Sequence, residues 1–426
     1  MSFESANNYS RFQLYKQYMR THQYIYKGID MLLPISIDIA GFYLENQKRT
    51  IRSIGDLLTR RFHPEELCNA FEHYKTVITF DMLKRKDHEQ LMEKISESID
   101  DALLVRLPVC HSPIFNVFQW IYGICWFIKQ RDFTFNQCLF LSAKLLWYKR
   151  VVDTLNETMG DVDLHGKNFI PFCAYESILL HYFKAKGATT FALFHGMNGH
   201  YQFFIPRDAQ NGELGYVDKI LAISEYQKKM LIQDWNMDEE KIFIVGNAKY
   251  GKSPYVPKGK ISNCIILGGI ATYDPYLFQL LQLIDKCAER TNIHFKLRPH
   301  PFSRILQNYP VDHLSHISVN KEKKTLQEMM VQGEYDAAII LNSFSYYEAL
   351  WYGLYTFRYK EGENMAFAGI DDYFSTEEDF LNLVKRYEAF TDTNYLSTRE
   401  KVLSLEMGAG INNYNDIINE FTLCDQ

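Results

Sequence analysis

Three short stretches hold residues able to grip a phosphate or move a proton. In the first, Phe194-His195-Gly196-Met197-Asn198-Gly199-His200 closes an apolar run. A histidine there has an ordinary pKa near ~6.5, suited to taking a proton at neutral pH, and Gly196 and Gly199 let backbone approach a ligand closely. The plainer reading is a histidine held in a turn. In the second, Lys296-Leu297-Arg298-Pro299-His300-Pro301 brackets a histidine between two prolines, which fixes the backbone on both sides. Arg298 and His300 offer donors to phosphate oxygens, and the plainer reading is a rigid turn. In the third, Asn342-Ser343-Phe344-Ser345-Tyr346-Tyr347-Glu348 combines hydroxyls with the start of a helix. Ser345 and Glu348 have the spacing of a capping box, and a helix amino terminus is also a phosphate seat.

Other motifs do not qualify. Asp161-Val162-Asp163 has the spacing of a metal-chelating sugar-nucleotide site, but no apolar strand precedes it. Gly268-Gly269 is not a G-x-G-x-x-G fingerprint, and there is no G-x-S-x-G elbow. His313 and His316 lack thiol or carboxylate neighbours spaced for zinc. Neither a metal nor a cofactor is expected.

The elements that must position these stretches alternate between strand and helix. Residues 1–75 read as helices, with Tyr9–Tyr26 and Ile51–Phe62 at helical spacing. Strands are predicted at 76–80, 102–107, 168–173, 189–194, 218–223 and 241–245, with helices between them. Residues 251–259 contain two glycines and two prolines and read as a linker. Strands at 264–267, 294–297, 337–341 and 355–359 follow, with helices at 274–290, 326–332 and 346–352. The expected class is α/β: two Rossmann-like domains with an added helical N-terminal segment. The expected boundaries are 1–75 packed on or inserted into the first domain, 76–250, a linker at 251–261, and 262–426. Ligands in such sheets bind beyond the carboxyl ends of the strands, where all three stretches fall.

Composition narrows the classes. The chain has 426 residues and a net charge of −6, which argues against a protein devoted to DNA or RNA. Its eight cysteines form no C-x-x-C pair and its amino terminus shows no secretory signal, so a reducing cytoplasm is the expected compartment. Residues 113–128 are nearly all apolar but shorter than the roughly 20 residues of a membrane span. A buried helix is the expected reading and an interfacial surface helix the alternative. Lys48, Arg49, Arg52, Arg60 and Arg61 form a basic cluster, read as a solvated face with an anionic membrane or acidic acceptor as the sharper alternative.

The joint order of these features resembles bacterial surface-polysaccharide glycosyltransferases of GT-B fold. It runs from His195-Gly196 through Ser224-Glu225, Gly246-Asn247 and Arg298-Pro299-His300-Pro301 to Ser343, Ser345, Glu348 and Ala349. The group includes teichoic-acid glycerophosphotransferases, capsule Kdo transferases and bacterial sialyl- and polysialyltransferases. The likeness spans about residues 168–360.

The resemblance implies two domains facing a cleft, with 76–250 holding the acceptor and 262–426 the nucleotide donor. It implies that His300 contacts the donor's phosphate, that Ser343 and Ser345 seat the same phosphates, and that Glu348 meets the ribose or sugar in competition with its capping role. Gly268, Gly269, Arg298 and Asn342 complete the implied donor side. His195 matches the histidine that acts as general base in the glycerophosphotransferases, with Gly196, Asn198 and His200 beside it on the acceptor side. The sialyltransferase branch uses an acidic residue in an Asp/Glu-Asp-Gly motif that this chain lacks, so a base there would lie elsewhere, for instance at Asp81.

The implied activity is metal-independent transfer of a sugar from a nucleotide-sugar to a hydroxyl of a cell-envelope glycan, such as a capsule, or of a lipid-linked acceptor. Peripheral contact with the inner face of the membrane follows from the lipid-linked acceptors common in the group. Transfer of a polyol phosphate from a CDP donor, a non-catalytic GT-B-like partner protein, and a UDP-sugar epimerase are the alternatives.

Overall fold

The computed structural model describes residues 3–45, 50–81, 86–107, 110–112, 115–160, 162–171, 177–193, 216–233, 236–269, 271–322, 324–341, 343–360, 369–389 and 393–423. His195, Gly196, Asn198, His200 and Asn342 lie outside them, as does Asp161. The chain divides into two compact units, 1–249 with 412–426, and 250–411.

The first unit opens with α1 (Phe3–Thr21), a hairpin of β1 (Ile25–Tyr26) and β2 (Ile29–Asp30), α2 (Ser36–Glu45), α3 (Ile51–Thr59), β3 (Arg60–Arg61) and α4 (Glu65–His73). The helix expected to reach Tyr26 stops at Thr21. Lys27 and Gly28 take positive φ in a two-residue turn, and the Asp30 carboxylate accepts the N–H groups of Tyr24 and Leu32, which closes the hairpin instead. Next come β4 (Thr76–Asp81), α5 (Lys86–Glu97), β5 (Ala102–Leu107), β6 (Cys110–His111), α6 (Val117–Gln130), α7 (Phe135–Met159), β7 (Asn168–Pro171) and α8 (Ser177–Ala185). The series ends with β8 (Thr189–Leu193), β9 (Lys219–Ala222), α9 (Glu225–Gln233) and β10 (Ile242–Ile244).

Strands β10-β9-β8-β7-β4-β5 form one parallel sheet. Helix α7 starts at a Thr134–Gln137 capping box and is buried on nearly every side. It can be so because α2, α3, α4, α6 and α8 all pack on it. Tyr15, Tyr18, Leu32 and Ile39 of the N-terminal segment share one core with Leu141, Leu145 and Phe169, so this segment builds the first unit from within.

The second unit contains β11 (Asn263–Leu267), α10 (Asp274–Ala288), β12 (His294–Arg298), α11 (Ile305–Asn308), β13 (Ile317–Val319), α12 (Leu326–Val331), β14 (Ala337–Ile340), α13 (Ser345–Trp351), β15 (Tyr355–Tyr359), β16 (Tyr373–Phe374), α14 (Glu377–Glu388) and α15 (Thr393–Met407). Its sheet runs β13-β12-β11-β14-β15-β16, all parallel. Counted from β11, that is the order 3-2-1-4-5-6 of the dinucleotide-binding fold, with its reversal between β11 and β14. Burial explains the continuous apolar runs: every residue of β14 is buried, as are four of the five in β11.

Two expected boundaries change. Residues 250–261 belong to the second unit, because this stretch is pinned to α13. The Trp351 indole N–H donates to the Gly251 carbonyl at 2.8 Å, and the Tyr250 hydroxyl donates to Glu348. Residues 412–426, expected in the second domain, return to the first unit as α16 (Tyr414–Leu423). The Asn413 N–H donates to the Val245 carbonyl at 3.0 Å, the Tyr414 hydroxyl to that of Gly246 at 3.0 Å, and Tyr414 and Ile418 are buried.

The buried-helix expectation for residues 113–128 is also corrected. Within α6 only Gly123 and Phe127 are buried, and Val117, Phe118, Ile121, Tyr122 and Ile128 are exposed. The helix is apolar on two faces, and α7 covers one.

Candidate functional site

The expected donor-side residues sit on three neighbouring strand ends of the second unit. Gly268-Gly269 follows β11, Arg298 ends β12 with His300 just beyond, and Ser343 lies between β14 and α13. Because β12 and β14 each pair with β11 in register, these ends are adjacent on one sheet edge, astride the reversal of strand order.

Backbone contacts hold the first two stretches together. The Gly268 N–H donates to the Arg298 carbonyl at 3.1 Å. A Cβ at Gly268 would lie 2.9 Å from Leu277 Cδ2 and 3.5 Å from the His300 nitrogen, so a side chain there would have to push the end of the Leu277 side chain aside. Asp274, buried at the start of α10, accepts from Ser303 Oγ at 2.6 Å and from the Arg304 N–H at 2.7 Å. It ties the loop after β12 to the helix after β11 and is a positioning residue of the site. Its only trace in the sequence is an acid in a first helical turn.

His300 is half-buried, and its Nδ1 accepts the Phe302 N–H at 3.1 Å. That bond assigns the hydrogen of the neutral ring to Nε2. The ring therefore has a donor, as a phosphate contact needs. Arg298 is directed otherwise than expected from its type. Its guanidinium donates to the Lys324 carbonyl at 3.1 Å and lies 3.0 Å from Met329 Sδ, which braces the start of α12. Burial lowers its pKa, with Tyr335 and then Glu348 opposing the shift, so Arg298 and Glu348 feel each other's charge.

The capping box expected of Ser345 and Glu348 is not formed. Phe344 is the N-cap without a side-chain cap bond, while Ser345 Oγ and its N–H engage Ser343 Oγ at 2.8 and 3.3 Å. Glu348 instead takes the Tyr250 hydroxyl. The two serines thus form a hydroxyl pair at the end of β14, beside Gly268. On the first unit, β8 ends at Leu193, and the His195 stretch lies outside the described residues. Among the described residues no group of three His, Cys, Asp or Glu could hold a metal ion.

No protein-family model matches the chain, and no curated protein does. Solved structures do. The UDP-GlcNAc 2-epimerase of Methanocaldococcus jannaschii superposes with a TM-score of 0.50 at 11% identity, over 82% of this chain and 99% of that one. The chain has a GT-B fold. The Neisseria meningitidis UDP-GlcNAc 2-epimerase bound to UDP-GlcNAc gives 0.48 at 12% identity, over 82% and 99%. TarM gives 0.44 at 10% identity, over 67% of this chain and 60% of TarM, so this chain spans about three fifths of that protein. The strand-order reversal described above lies in one of the two α/β units of this GT-B chain.

Proposed function

We propose that this chain is a metal-independent glycosyltransferase that moves a sugar from a nucleotide-sugar donor to a hydroxyl of a cell-surface glycan or lipid-linked acceptor. The observation that carries the reading is the grouping of Gly268, His300 and the Ser343–Ser345 pair around the strand-order reversal, the part of such a sheet that receives nucleotides. As the sugar leaves, charge grows on the nucleotide phosphate. The Nε2–H of His300 and the paired hydroxyls would stabilise that charge. His195 would take the proton of the acceptor hydroxyl, a contribution on the order of 10²–10⁴ in rate. The reading places the reaction in the cytoplasm, against the inner face of the membrane.

One observation favours a second reading. The superposition that reaches a TM-score of 0.50 is with a UDP-GlcNAc 2-epimerase, almost all of whose chain is matched. An epimerase would use the same nucleotide seat with no acceptor. Purified protein incubated with nucleotide sugars, with and without a glycan acceptor, separates the two. Nucleotide release that depends on acceptor supports transfer. A changed sugar configuration without acceptor, and no sugar passed on, would replace transfer by epimerisation.

A further inference from the structure

The outer face of α6 has no use in the nucleotide chemistry. Gly123 and Phe127 face α7, and a Cβ at Gly123 would meet Ser142 Cβ at 3.1 Å, which shows how closely the two helices pack. The Trp120 indole donates to the Leu139 carbonyl at 3.4 Å and Trp126 packs edge-on to Tyr24, so the inner face is committed. Opposite it, Val117, Phe118, Ile121, Tyr122, Cys125 and Ile128 form one exposed stripe, with Phe118 84% and Tyr122 62% exposed. At about 100° per residue these positions span roughly 140° of the helix. A scattered exposed apolar residue is ordinary, but a whole helix face is not.

Charge indicates what covers it. From Ala102 to Arg131 the chain has no Asp or Glu, in a protein that holds 52. Lys129 falls within the stripe's own arc, and Arg131 follows in a left-handed C-cap; both are exposed, and neither is ion-paired among the described residues. The nearest acid in sequence, Asp132, already accepts the Tyr43 hydroxyl at 3.1 Å. An apolar stripe with an aromatic ridge and free cations at one end matches a bilayer surface of anionic lipid, with lysine and arginine stems lying along the apolar zone and their heads among the phosphates. A 14-residue helix is about 21 Å long, and one face of it falls short of the roughly 800 Å² per partner that a stable dimer buries.

We propose that α6 is a monotopic membrane-docking helix, lying in the plane of an anionic phospholipid surface with Phe118 and Tyr122 inserted. No helix among the described residues is long and apolar enough to cross a membrane, so the contact would be peripheral. The proposal stands independently of the nucleotide reading, because lipid binding and nucleotide binding are scored separately.

The test is co-sedimentation of the full chain with vesicles of phosphatidylcholine alone and of phosphatidylcholine with phosphatidylglycerol in equal parts. The expected result is binding to the anionic vesicles, weakened about tenfold or more in Phe118→Gln/Tyr122→Gln and weakened by salt or by Lys129→Gln/Arg131→Gln. These positions are exposed, and circular dichroism of the variants is to check that the fold is kept. Failure of the intact chain to bind anionic vesicles would overturn the proposal, as would equal binding by the Phe118/Tyr122 variant. So would a lipid-free dimer in sedimentation equilibrium that the same variant dissolves, since the stripe would then belong to a second copy.

Discussion

The Gly268 N–H donates to the Arg298 carbonyl at 3.1 Å, joining the carboxyl ends of β11 and β12 beside the strand-order reversal. A side chain here would crowd the end of the Leu277 side chain, whose Cδ2 would lie 2.9 Å from a Cβ. We expect Gly268→Val to cost about 1–3 kcal/mol of stability through overpacking, and to lose nucleotide binding out of proportion to that cost. Urea unfolding and nucleotide titration of the same variant check it. Unaltered nucleotide affinity would remove Gly268 from the site.

The legibility of the fold followed burial. Strand β15 at Tyr355–Tyr359, buried at four of its five residues, and helix α9 at Glu225–Gln233, whose buried face holds Gln227, Met230 and Leu231, match their sequence limits. Ser224 caps α9 by accepting the Gln227 N–H at 3.1 Å. The corrected assignments depend on tertiary choices. An apolar run such as 117–128 does not encode which of its faces receives a neighbour. Nothing in the sequence after Asn412 specifies that Tyr414 will be buried against Gly246, a long way back along the chain. Glu348 sits three residues after Ser345 as a capping box requires, yet a tyrosine 98 positions away takes its carboxylate. Beyond residue 360 the sequence reading named no elements, although Thr376 and Asp379 form a capping box that starts α14.

The second unit also holds a buried ion pair. Arg358 donates to Asp372 at 2.6 Å and to the Tyr373 hydroxyl at 2.7 Å, and it lies over the Tyr346 ring. Both charged residues are almost fully buried. We expect Arg358→Met to cost about 3–5 kcal/mol, because it strands a buried carboxylate, and the double change Arg358→Met/Asp372→Leu to recover most of that loss. Chemical denaturation of the three proteins is the measurement. Strict additivity of the two single effects would refute the pairing argument.

His181 supplies a pH dependence. Burial, then the charge of Lys184, pushes its imidazole down to about 4, so it is neutral in the folded protein. The unfolded chain binds a proton near the ordinary ~6.5. Its contribution to stability is therefore complete above about pH 6.5 and is lost as pH falls towards 4, by at most about 3 kcal/mol. We expect His181→Gln to flatten the fall in unfolding free energy across that window. An unchanged slope would show that His181 titrates freely.

Tyr250 and Glu348 give a further check. Removing the phenol hydroxyl in Tyr250→Phe leaves the carboxylate without that donor, and we expect a loss of about 1–3 kcal/mol. Glu348→Gln, which can still accept the bond, should lose less. The reverse order in thermal unfolding would mean that Glu348 is held by other partners.

The central claim is that the edge formed by Gly268, His300 and Ser343 seats a nucleotide. The most direct measurement is thermal unfolding of the purified chain with CMP, CDP, UDP and GDP, repeated on His300→Ala. A nucleotide present at 100 times its Kd should stabilise the native state by about 2.7 kcal/mol. The account predicts such a rise for at least one nucleotide and its loss in the variant, with the nucleotide that responds naming the donor class. Silence across all four in well-folded protein, or an equal rise in His300→Ala, would contradict it.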